Sequence, residues 1–110
     1  SIVAFAPVAV IPTYSDSKAA VHSYTLSLRH TLNRDTNVKV FELMPPTVNT
    51  AFSKDIGGEI HGMPAREVAE QLIEGIEQND YEIYPGKTQE FRQYFFANPK
   101  EAFLALNQAG

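Results

Sequence analysis

Cysteine is missing altogether from the 110 residues. That excludes disulfides, thiol nucleophiles and cysteine-based zinc sites, and it is compatible with any compartment. Histidine is scarce: His22, His30 and His61 form no pair four apart on a helix and carry no carboxylate pattern, so no metal site is expected. Basic residues are outnumbered, with 9 Lys and Arg against 13 Asp and Glu and a net charge of −4. Phosphate binding needs a basic face, so nucleic acid is not an expected partner. No apolar run reaches the length of a bilayer span, so no transmembrane helix is predicted. The apolar start, Ser1 to Ile11, lacks the basic leader of a signal peptide, and a cytoplasmic location is expected. Glycine is sparse as well. No Gly-x-Gly-x-x-Gly occurs, and Gly57-Gly58 follows no strand, so a pyrophosphate-cradling turn is missing from these residues.

What is present is enough for one domain with a core: 44% hydrophobic and 20% charged residues, with no repeat and no low-complexity stretch. Pro7 and Pro12 bracket the apolar Val8-Ala9-Val10-Ile11. A helix is predicted over about 13–32, Pro12 being tolerated in its first turn. Val21, Tyr24, Leu28 and Thr31 form one stripe on it, with Tyr14, Lys18 and Thr25 beside it. Ala19 and Ala20 leave room for the close approach of another backbone. The polar segment Asn33 to Asn37 ends the helix. Val38 to Met44 reads as a strand apolar on both faces, as in a covered parallel sheet.

A glycine-containing loop is predicted over about 51–62 and a helix over about 64–79, with Val68, Leu72, Ile73 and Ile76 inward and Glu67, Glu70, Glu74 and Glu77 solvated. A short strand over about 81–84 stops at Pro85-Gly86. Two further helices, about 88–96 and 99–107, close the chain. Phe91, Tyr94, Phe95, Phe96 and Phe103 are expected to pack as core against the sheet; a subunit contact or substrate wall is the alternative.

The chemistry-bearing segment is Tyr14-Ser15-Asp16-Ser17-Lys18, with Ser1 thirteen positions before the tyrosine. Residues four apart on a helix share a face, with Cβ atoms roughly 5–6 Å apart. A phenol gives a proton to a forming alkoxide or takes one from an alcohol, although its reference pKa of ~10 matches neutral pH poorly. A neighbouring ammonium favours the phenolate and moves such a group towards operating pH. A serine hydroxyl brought in from a strand end would hold the substrate oxygen. The plain alternative for Tyr14 and Lys18 is a helix-surface pair.

The surrounding residues give the trio a context. Pro12-Thr13-Tyr14-Ser15-Asp16-Ser17-Lys18-Ala19-Ala20-Val21 resembles the start of the active-site helix in the short-chain dehydrogenase/reductase family. Pro45-Pro46-Thr47-Val48-Asn49-Thr50 resembles that family's Pro-Gly-x-Val-x-Thr turn at the nicotinamide. Pro46 stands where the family has glycine; it removes a backbone N–H and fixes φ. The resemblance is close from Ser1 to about Thr50 and looser beyond.

The resemblance implies an α/β fold, the C-terminal half of a doubly wound, Rossmann-like parallel sheet whose N-terminal dinucleotide-binding half is absent. The family's own Gly-x-x-x-Gly-x-Gly is not found, so the chain is expected to be a C-terminal portion that starts at the catalytic serine. It further implies Tyr14 as general acid/base, Lys18 as its electrostatic partner and holder of the nicotinamide ribose, and Ser1 as the residue orienting the substrate oxygen. Pro45, Thr47, Val48 and Thr50 are implied at the nicotinamide, Pro45 packing on the ring and the Val48 backbone and Thr50 meeting its carboxamide. The loop that follows would be the substrate lid.

The implied cofactor is NAD or NADP, the implied substrate a small carbonyl or alcohol, and the implied assembly a homo-oligomer through the long helix. The proline-rich turn and charged C-terminal end resemble a bacterial subgroup associated with D-alanylation operons. The parent is expected to be an oxidoreductase and the fragment by itself inactive. The competing expectation is a non-enzymatic fragment that serves as a structural or self-associating module.

Overall fold

The computed structural model describes residues 1–46, 48–49 and 62–108. A short 3-10 turn, Ile2–Ala4, precedes helix α1 (Pro12–Asp35). Then come β1 (Glu42–Leu43), β2 (Val48–Asn49), β3 (Met63–Pro64), α2 (Ala65–Glu77), β4 (Glu82–Ile83), α3 (Lys87–Ala97) and α4 (Pro99–Asn107). Helices and parallel strand pairs make this a mixed α/β chain. The residues group into two compact units, Ser1 with Phe41–Gln89, and Ile2–Val40 with Glu90–Gly110.

In the first unit β1 runs parallel to β4, with Glu42 opposite Glu82 and Leu43 opposite Ile83. The Glu42 N–H donates to the Tyr81 carbonyl at 2.8 Å and the Met44 N–H to that of Ile83 at 2.9 Å. Parallel neighbours need a crossover, and α2 lies in the connection here. The strand predicted over Val38 to Met44 is shorter than its pattern. The ladder is confined to Glu42–Leu43, where Tyr81 to Ile83 runs alongside. Upstream, Val38 is 52% exposed rather than covered, and the Val40 carbonyl accepts from Arg29 Nε at 2.9 Å instead of from a strand. A second ladder pairs β2 with β3, Val48 opposite Met63 and Asn49 opposite Pro64.

Helix α2 corrects another expectation. Val68 is buried and Leu72 half-buried, but Ile73 is 56% and Ile76 43% exposed. The helix meets β4 at Gly75, where a Cβ would lie 2.7 Å from Ile83 Cδ1 and Cγ1, and the buried Val68 lies two turns earlier on the same line. At 3.6 residues per turn, Ile73 lies roughly 140° around the helix from Val68, off that line. The missing side chain, rather than the largest ones, marks the contact face. Glu67, Glu70, Glu74 and Glu77 are exposed.

The end of α2 is a Schellman arrangement: Asp80 N–H donates to the Gly75 carbonyl at 2.8 Å and Asn79 N–H to that of Ile76 at 3.1 Å. Asn79 sits at φ 59°, a left-handed conformation that asparagine tolerates and β-branched residues resist. Asn79→Val is therefore expected to lower stability by about 1–2 kcal/mol, and Asn79→Gly by less, measured as the shift in urea midpoint. Equal midpoints for the two variants would show that backbone conformation does not govern this position.

In the second unit the 3-10 turn packs on α1, with Val3, Ala4 and Ala6 buried. Pro12 occupies the first turn of α1, and Thr36 closes the helix, its N–H and Oγ1 both donating to the Leu32 carbonyl at 2.8 Å. Ser15 is the buried residue of this helix. Of the stripe read from the sequence, Val21 is 54% and Tyr24 67% exposed, while Leu28 is half-buried.

Three aromatic residues of α3 gather on Phe5 within the second unit. The Phe5 ring centroid lies 5.6 Å from that of Phe95, 5.7 Å from Phe96 and 6.5 Å from Phe91. Their shared neighbour is the segment leaving the 3-10 turn, and this unit holds none of the strands.

Helix α4 starts with a reciprocal cap. Asn98 Oδ1 accepts the Glu101 N–H at 3.3 Å while its Nδ2 donates to Glu101 Oε2 at 2.7 Å. Loss of solvent, then the hydrogen bond and charge of Glu101, raise the Tyr94 phenol above its usual pKa. A raised phenol favours the folded state at lower pH, so this contribution fades as pH climbs beyond the ordinary value of 10.0.

Candidate active site

Tyr14 and Lys18 belong to the first turns of α1, where the spacing of four places them on one face. The structure brings them together, with Lys18 Nζ lying 5.4 Å from the centroid of the Tyr14 ring. That is within cation–π range, so the ammonium sits against the ring itself. Tyr14 is 42% exposed and Lys18 half-buried, which leaves a proton donor and a cation open to a ligand. The polar neighbours are occupied locally. Ser17 Oγ donates to the Tyr14 carbonyl at 2.7 Å, a bond within the helix turn.

Helix α1 lacks a side-chain cap at its N-terminus, where Ile11 precedes Pro12. Its entry is fixed by Ser15, a residue the sequence reading passed over although it adjoins Tyr14. Ser15 is 1% exposed. Its Oγ accepts the Val8 N–H at 3.0 Å and faces the Val8 carbonyl at 3.4 Å. The Ile11 carbonyl accepts the Ser15 N–H at 3.1 Å, and the Ile11 N–H donates to the Val8 carbonyl at 3.0 Å. The segment before Tyr14 is thus a hydrogen-bonded turn tied to the first turn of the helix. Helical periodicity carries no signal for this burial, because the partner is the Val8 backbone outside the helix.

The other expected residues belong to the first unit. Ser1 is half-buried there. Pro45 and Pro46, also half-buried, directly follow β1 and Met44. Gly86 adopts φ 61°, and a Cβ on it would meet Met63 Sδ at 3.1 Å and Pro46 Cγ at 3.6 Å. This close approach seats the turn after β1 against the turn after β4. The Val48 backbone takes part in the ladder with Met63. Thr47 and Thr50 lie outside the described residues, as does the loop expected over 51–62 except for Gly62. Among the described residues no helix is long and apolar enough to cross a membrane.

Comparison with known proteins supplies a family context for this geometry. The sequence profile of the family described as short chain dehydrogenase matches residues 1–60. The chain is also similar to the uncharacterized oxidoreductase DltE of Bacillus subtilis (strain 168), 36% identical over 108 residues, an alignment covering 94% of this chain. It spans 42% of the length of that relative. No solved structure matches significantly.

Proposed function

This chain belongs to the short-chain dehydrogenase family, and on that premise we propose that it is the C-terminal portion of an NAD(P)-dependent oxidoreductase acting on a carbonyl or alcohol. Its fold is then the closing half of a doubly wound parallel sheet, in which ligands lie beyond the carboxyl ends of the strands. The observation that carries the reading is the exposed Tyr14 phenol with the Lys18 ammonium 5.4 Å from its ring centroid. The donor set fits a nicotinamide nucleoside, since an ammonium donates to ribose hydroxyls and a phenol exchanges a proton with the reacting oxygen.

Tyr14 donates its phenolic proton to the carbonyl oxygen as that oxygen becomes an alcohol, and takes the proton back in the reverse direction. Lys18 stabilises the negative charge left on the phenolate and is the residue that would hold the ribose. Ser1 orients the substrate oxygen. Pro45, Thr47, Val48 and Thr50 are the residues that would meet the nicotinamide. When bound, the reduced nicotinamide supplies the hydride. The bacterial subgroup suggested by the proline-rich turn fits this reading and names no substrate.

In the full-length oxidoreductase, Lys18→Ala is expected to lower kcat roughly 10²-fold and to weaken NAD(P)H binding, because one ammonium serves both phenolate and ribose. Stopped-flow reduction rates and fluorescence titration read the two effects separately. Unchanged values in both would sink the assignment.

The exposed Val21 and Tyr24 on α1 favour a second reading, a self-associating module without turnover. Saturable NAD(P)H binding and carbonyl reduction by the 110-residue chain alone would eliminate that reading. Absence of both, together with a dimer by light scattering, would support it for the isolated chain.

A further inference from the structure

The segment Pro7 to Ile11 enters α1 just ahead of Tyr14, and a side chain from the far end of the chain grips it. Asn107, the last residue of α4, places its Oδ1 2.8 Å from the Ala9 nitrogen, whose N–H it accepts. Its Nδ2 donates to the Pro7 carbonyl at 3.1 Å and to the Phe103 carbonyl at 2.9 Å. The surroundings offer one donor and two acceptors, and a carboxamide matches that set in a single orientation. A carboxylate would face two carbonyls with no proton to share. An aliphatic residue would leave all three groups without this partner.

We infer that Asn107 is a positioning residue for Tyr14: it straps the turn Pro7 to Ile11, and the turn sets where α1 begins. The path is continuous. Asn107 holds Pro7 and Ala9, and Val8 between them is held by Ser15, the neighbour of Tyr14. The Ile11 N–H closes the turn on the Val8 carbonyl, and the Ile11 carbonyl takes the first helical bond from Ser15. Two side chains, 92 positions apart, thereby fix both sides of Val8. Ala9 and Val10 are exposed, so little burial helps to hold the turn in their absence.

The inference rests on the reading of Tyr14 as the acid/base group, and its test separates the two. In the full-length protein, Asn107→Leu is expected to speed amide exchange at Val8 and Ala9 at least about tenfold, since it removes both hydrogen bonds that hold the turn. It is also expected to lower kcat at least about tenfold, as small misplacements of reacting groups do, with the NAD(P)H dissociation constant unchanged. Asn107→Asp retains the acceptor for Ala9 but faces two carbonyls without a donor, so its kcat is also expected to fall below wild type. With Ser15→Ala, Asn107→Leu should be non-additive in kcat, since both act on one turn.

Two results would overturn the inference: faster exchange spread equally over α1 and α4, which marks general destabilisation, or faster exchange at Ala9 with kcat unchanged. If Tyr14→Phe kept full activity while Asn107→Leu still loosened only Val8 and Ala9, the acid/base reading would fail and the strap would survive as structure alone.

Discussion

Tyr14→Phe in the full-length oxidoreductase is expected to lower kcat for carbonyl reduction by roughly 10²–10⁴, the usual contribution of a general acid. The substitution deletes one oxygen and retains the ring. Lys18 Nζ lies 5.4 Å from the ring centroid, a contact with the aromatic face that phenylalanine also offers. The ammonium therefore stays near its place, and NAD(P)H affinity is expected to change little. Tyr14 is 42% exposed, and a surface substitution of this kind shifts stability within about 0.5 kcal/mol. A large loss of kcat at an unchanged unfolding midpoint is the signature. Ordinary kcat in the variant would show that another group moves the proton.

The second large effect concerns the fold. Gly75→Val is expected to destabilise by about 1–3 kcal/mol or more, the cost of overpacking a well-filled contact. Helix propensity alone gives the opposite sign, since glycine is about 1 kcal/mol worse than alanine and somewhat worse than valine in a helix interior. Packing decides because a Cβ at Gly75 would stand 2.7 Å from two carbons of Ile83, itself 6% exposed and held in the ladder with Leu43. Neither α2 nor β4 moves apart without disturbing that pair. Gly75→Val with Ile83→Ala adds and removes three carbons at one contact, so the double variant should recover part of the loss in urea unfolding. Stabilisation by Gly75→Val alone would refute close packing at this crossing.

How much of this was legible varies with the range of the interaction. The Tyr14–Lys18 pairing follows from a spacing of four and a helix opened by Pro12, both read within one or two turns. The break at Pro85-Gly86 was readable for the same reason, and so was the solvated glutamate face of α2. The reciprocal cap of Asn98 and Glu101 is equally local, its members three residues apart. The apolar pattern of Val38 to Met44 misled, because apolarity marks a strand's suitability while a ladder requires a partner alongside. On α2 the apolar residues named too broad a face. Ile73 and Ile76 look inward by composition, whereas Gly75 carries no hydrophobic signal and marks the closest contact.

By itself, then, the sequence determined the family, the helical alternation, and the phenol and ammonium that share one face, since all of these depend on chemistry repeated within a few residues. Tertiary structure alone decided that α2 meets β4 at a glycine, that Val21 and Tyr24 face outward, that Phe5 gathers the aromatics of α3, and that Asn107 reaches Pro7 and Ala9. Each of those outcomes depends on which surface arrives opposite, and a residue's own neighbours in the chain carry no record of it.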